Sequence, residues 1–132
     1  VSENKVITVA AALITDRAGR YLLVRKRNTP YFMQPGGKPE PGETPQAALV
    51  RELWEELSLE VDLADLTPLG RFEDRAANEP GHKLIADMFA FTTAQTDFSP
   101  AAEIEEVIWF DPRQPGEVIL APFSRSQLMP EA

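Results

Sequence analysis

The chain has 132 residues, 43% of them hydrophobic, with no cysteine and a formal net charge of −8. That length reads as one domain spanning 1–132, with a core large enough to stand without disulfide staples. Disulfides and thiolate zinc sites are excluded, a reducing compartment and hence the cytoplasm is expected, and the acidic surplus argues against a nucleic-acid polymer as partner.

The opening VSENKVITVA has no basic segment followed by a long apolar run, so neither a signal peptide nor a membrane span is expected. Val6 to Ile14 is almost unbroken apolar sequence, read as a strand covered on both faces. A turn containing Gly19 leads into YLLVRKR from Tyr21, and the two strands read as a hairpin. Arg25, Lys26 and Arg27 end the second strand. Alternation aims Arg25 and Arg27 the same way, either as charged guards of a sheet edge or as phosphate binders.

Pro30 to Thr44 carries four prolines and three glycines and is expected to be neither helix nor regular strand. Thr44-Pro45 then starts a helix, with Thr as N-cap and Pro at the first helical position. Val50, Leu53, Trp54 and Leu57 form its apolar stripe, expected to face a sheet while Glu52, Glu55 and Glu56 look away. Further strands are expected from Leu69 to Phe72, Leu84 to Thr93 and Glu105 to Phe110, with RAANEPGHK as a polar loop between the first two. Pro122 limits a last short helix to starting at or after Ala121. The order gives a mixed α/β sandwich.

The three helix glutamates oppose stability. Like charges at i, i+3 and i, i+4 each cost ~0.2–0.5 kcal/mol, and these carboxylates sit near the negative end of the helix dipole. A solvated acidic face is the plain alternative, but a divalent cation turns the repulsion into a binding site. The available ligands are oxygens, suited to Mg²⁺ or Mn²⁺ rather than zinc, and a main-chain carbonyl at Gly36 or Gly37 can add one more.

Gly37, five residues, Glu43, seven residues, Arg51-Glu52-Leu53, one residue, Glu55-Glu56 and then Leu59 resembles the signature of the Nudix hydrolases, GX5EX7REUXEEXGU, with U a bulky aliphatic residue. Pro35-Gly36 ahead of it fits the same pattern, and Ser58 stands where the signature has a glycine that ends the helix in a left-handed conformation. The resemblance implies a Nudix-type α/β/α sandwich with a mixed β-sheet. It also implies Mg²⁺-dependent hydrolysis of a nucleoside diphosphate linked to a group X at a phosphoanhydride bond.

On that pattern Glu52, Glu55 and Glu56 hold metal with the Gly36 carbonyl, while Glu43 and Arg51 pair to steady the loop beside Gly37. The general base varies among such enzymes between a box glutamate and a carboxylate on a late loop, here Glu103, with Glu106 as its rival. The expected partner is a small nucleotide, with a nucleoside triphosphate, oxidised or not, ahead of ADP-ribose or a nucleotide sugar. A catalytically silent nucleotide-binding module is a further reading, and a homodimer through a strand edge is compatible with the sequence. Tyr31, Phe32 and Phe72 are candidates for stacking on a base or for packing, and His82 reads as a surface residue.

Overall fold

The first apolar run forms β1 (Lys5–Thr15), the central strand of a seven-stranded mixed sheet. The computed structural model describes residues 5–75 and 81–129. In chain order there follow β2 (Tyr21–Lys26), β3 (Phe32–Met33), β4 (Gly36–Gly37), α1 (Pro45–Leu57), a single 3-10 turn, β5 (Thr67–Arg75), β6 (His82–Thr92), β7 (Ile104–Phe110) and α2 (Pro122–Leu128). Positions 76 to 80 of the expected polar loop lie outside the described residues. No helix among the described residues is long and apolar enough to cross a membrane.

β1 and β6 run parallel from Lys5 opposite His82 to Thr15 opposite Thr92, and β5 pairs antiparallel to β6 at the sheet edge. The expected hairpin exists only at its base. β1 and β2 pair at Thr15 and Tyr21; β2 then diverges to pair with β7 and β3. β4 takes the vacated edge of β1 at Ala10 and Ala11. The Gly-Pro segment, expected to hold no strand, therefore supplies two two-residue strands, and the divergence of β1 from β2 opens a cleft.

Alternation sorts the sheet residues between two helical layers. Ala10, Ala12 and Ile14 of β1 and Leu22 and Val24 of β2 pack with Leu49, Leu53 and Leu57 of α1. On the opposite face Leu23 packs with Leu128 of α2, and Ala11, Ala86 and Met88 pack with Phe123. The result is the α/β/α sandwich.

α1 begins as its sequence dictates, with the Thr44 hydroxyl accepting from the Ala47 amide at 3.1 Å. Ser58 ends it in the left-handed conformation, φ 53° and ψ 32°. The buried arc differs from the expected stripe: Trp54 is 59% exposed, whereas Glu56 is 1% exposed. At ~100° per residue Glu56 lies close to the arc of Leu49 and Leu53, and Trp54 falls outside it. Contact of α1 with β4 as well as β1 turns that arc toward the Gly-Gly strand.

Candidate active site

The cleft between the diverging strands has a volume of about 370 Å³ and is lined on its polar side by Glu52, Glu56, Glu103, Lys26 and Gln34. Carboxylate oxygens of Glu52, Glu56 and Glu103 all lie within 4.8 Å of one another. Two come from one face of α1; the third comes from the segment before β7, whose main chain is tied to β2 through the Arg27 amide and the Glu103 carbonyl at 3.0 Å.

The two glycines ahead of the helix make this approach possible. A Cβ on Gly36 would lie 2.1 Å from the Ala10 carbonyl oxygen, so a side chain there is incompatible with the β4–β1 pairing. A Cβ on Gly37 would meet the Glu52 carboxylate.

Neither oxygen of Glu56 has a hydrogen-bond partner among the described residues. Burial first, then the neighbouring Glu52 charge, push its carboxyl up to about 8; Glu103 adds to this, while the Gly36 amide and Lys26 oppose it without closing a hydrogen bond on either oxygen. A buried, unpartnered carboxylate facing two others is a costly arrangement. It fits a hard divalent cation, because every donor in the set is an oxygen.

Glu55 does not line the cleft. Its side chain is 50% exposed and its Oε1 accepts from Arg51 Nη1 at 2.9 Å, the same nitrogen that donates to Glu52 Oε1 at 2.7 Å. The rest of the Arg51 fork holds Glu43 through Nε at 2.8 Å and Nη2 at 2.9 Å. Glu43 also accepts from the Glu40 amide at 2.8 Å. The Arg51 guanidinium and that amide hold the Glu43 carboxyl well down, at about 2. Arg51 thus ties the loop after β4 to two carboxylates of the helix.

The structure does not bring Arg25 or Arg27 to the cleft. Arg25 pairs with Glu106 at 3.1 Å, and Arg27 donates to the Ala102 carbonyl at 2.6 Å. Alternation correctly joins their fates, but the side that faces the carboxylates belongs to Lys26, whose Nζ is 3.5 Å from Glu103 Oε1. A β-bulge between Arg25 and Lys26 shifts the register against β7, a device that re-aims side chains. Glu106 is accordingly held by Arg25 while Glu103 joins the cluster. Phe32 is a core residue, and Phe72 packs on Phe123 with centroids 6.3 Å apart. Sequence reasoning singled out neither Gln34 nor Ser124, which also line the cleft; they are 90 residues apart, and only the fold joins them.

The model of the NUDIX domain matches residues 5–131. The chain belongs to the NUDIX family. A stretch of 75 residues is 39% identical to the 8-oxo-dGTP diphosphatase of Haemophilus influenzae, covering 54% of this chain and 55% of that protein. The ADP-ribose pyrophosphatase of Methanocaldococcus jannaschii is 30% identical over 106 residues, 78% of this chain and 61% of its own length. The chain therefore spans about half to three-fifths of these curated relatives, 55% and 61%. The crystal structure of a MutT NUDIX hydrolase from Burkholderia pseudomallei has a TM-score of 0.78, covering 98% of this NUDIX chain and 100% of the other at 22% identity. At that identity the likeness concerns the fold.

Proposed function

We propose that this NUDIX chain is a divalent-metal-dependent pyrophosphohydrolase that cleaves a phosphoanhydride bond in a nucleoside triphosphate. The observation that carries the reading is the convergence of Glu52, Glu56 and Glu103 within 4.8 Å in the cleft, with both Glu56 oxygens unpartnered. The name of the Haemophilus influenzae relative, 8-oxo-dGTP diphosphatase, supports a triphosphate substrate. That of the Methanocaldococcus jannaschii relative keeps ADP-ribose as the alternative.

Glu52 and Glu56, with the Gly36 carbonyl, would hold Mg²⁺ or Mn²⁺, while Glu55, outside the cleft, shares Arg51 with Glu52. When bound, such a cation neutralises phosphate oxygens and lowers the pKa of a coordinated water. Glu103 would accept the proton of the attacking water as its oxygen bonds to phosphorus, while the bridging P–O bond in line with it breaks and the bridging oxygen leaves on the departing phosphate fragment. Lys26 meets the phosphate charge from the β2 side. Arg51 and Glu43 hold the loop so that Gly37 leaves room for Glu52. The cleft wall shields the reacting atoms from bulk water.

The test is product release with Mg²⁺ from nucleoside triphosphates, ADP-ribose, nucleotide sugars and dinucleoside polyphosphates. Turnover of a triphosphate that Glu56→Gln removes supports the reading; turnover of none of these contradicts it.

A further inference from the structure

Only three polar or charged side chains among the described residues are buried: Gln34, Glu56 and Ser124. All three line the one cleft, and Glu56 is accounted for by the cation site. The other two form a pair. The Ser124 hydroxyl donates a hydrogen bond to Gln34 Oε1. This engages the amide oxygen and leaves Gln34 Nε2 buried without a partner among the described residues. Gln34 is 7% exposed and Ser124 1%.

A buried N–H₂ group with no acceptor is unfavourable until something supplies one. The surroundings indicate what that is. Ile7 and Val9 of β1, Leu84 and Ala86 of β6, and Phe123 of α2 give the cleft an apolar wall beside the amide. Charged phosphates belong with the carboxylates and Lys26, whereas a flat heterocycle with few polar atoms suits this wall.

We infer that the Gln34 amide, held by Ser124, donates a hydrogen bond to a carbonyl on the nucleobase and so selects oxo bases over amino bases. The inference deepens the triphosphate reading and rests on it for its ligand class. An amino group at the same ring position presents hydrogens to a donor and leaves both unpaired, the situation in which polar sites discriminate most strongly. Gln34 is the specificity-determining residue, and Ser124 positions it by occupying the amide oxygen.

The experiment compares inosine and adenosine triphosphates, which differ by oxo for amino at one ring carbon and by the hydrogen on the adjacent ring nitrogen, as substrates of the full chain with Mg²⁺. Binding of the nucleosides inosine and adenosine, which need neither phosphate nor metal, is measured in parallel by calorimetry. The expected kcat/KM ratio favours inosine triphosphate by about 10- to 100-fold. Gln34→Met narrows it to within about threefold by raising KM for inosine triphosphate alone, and Ser124→Ala moves it the same way by a smaller factor. Melting curves identify any variant that fails to fold; Ser124→Ala, which removes one oxygen, then carries the test.

A ratio near one, or one that both folded variants retain, overturns the inference while cleavage itself still supports the pyrophosphohydrolase. A preference for adenosine triphosphate that Gln34→Met removes overturns the donor assignment by placing the amide the other way round. Gln34-dependent inosine binding with no triphosphate cleaved supports the amide's role and contradicts the proposed reaction.

Discussion

The Glu52 carboxylate occupies the space that a side chain on residue 37 would need: a Cβ on Gly37 would lie 2.4 Å from Glu52 Cδ. The obstacle is the far end of a flexible side chain, so Gly37→Ala displaces Glu52 rather than the backbone. Expected is a ~10²-fold loss in kcat/KM, because small misplacements of reacting groups are costly, with a stability change of ~1–3 kcal/mol. Gly36→Ala instead collides with the Ala10 carbonyl oxygen at 2.1 Å and Ala11 Cα at 2.7 Å. It should destabilise by more than ~3 kcal/mol, and urea denaturation of the pair of variants checks the contrast.

Glu56 sets a pH dependence in the metal-free protein. Its carboxyl rises from 4.5 in the ordinary state to about 8 in the fold, so the folded chain binds a proton that the unfolded chain releases. Its contribution is fully present below 4.5 and is lost as pH rises toward 8. Within that window stability should fall by up to ~1.4 kcal/mol per pH unit. Urea midpoints in chelator at pH ~5.5 and ~8 measure the slope, and Glu56→Gln should flatten it.

Glu43 works in the opposite window. Its carboxyl, held down to about 2 by Arg51, contributes stability that is present above 4.5 and lost as pH falls toward 2. Acid unfolding followed by circular dichroism should begin at higher pH in Glu43→Gln than in the parent, because the variant lacks a contribution that the parent loses only as pH nears 2. That variant should also lower kcat/KM about tenfold or more, because Arg51 loses its fork and Glu52 and Glu55 lose their anchor.

Ser58 holds a left-handed conformation, φ 53°, that costs a residue with a Cβ. Ser58→Gly should stabilise the chain by ~0.5–1 kcal/mol, with kcat/KM unchanged because the side chain is outside the cleft. Thermal melting checks the first outcome and initial rates the second.

Thr44-Pro45, the spacing from Gly37 to Leu59 and the apolar runs of β1 and β2 were legible because local rules govern caps, boxes and strands. The exchange of Trp54 for Glu56 on the buried arc was not. Periodicity shows that a helix has a face, but the docking of β4 decides which arc becomes that face. The parting of β1 from β2 beyond the Thr15–Tyr21 pair depends on β7 competing for β2 from 78 to 89 residues away and left no local sign. Parity tied Arg25 to Arg27, yet only the bulge and the β7 register gave the cleft side to Lys26. Gln34 and Ser124 carry no motif at all.

The central claim is that Glu52 and Glu56 hold a divalent cation in the cleft, beside Glu103. Mn²⁺ titration of the parent and of Glu56→Gln at pH ~7, followed by electron paramagnetic resonance with simultaneous proton counting, tests it most directly. Because the carboxyl stands at about 8 without metal, the parent should bind Mn²⁺ and release close to one proton. Glu56→Gln should lose at least ~10-fold in affinity and release none. Equal Mn²⁺ affinity in the two proteins, with no proton released by either, would contradict the account.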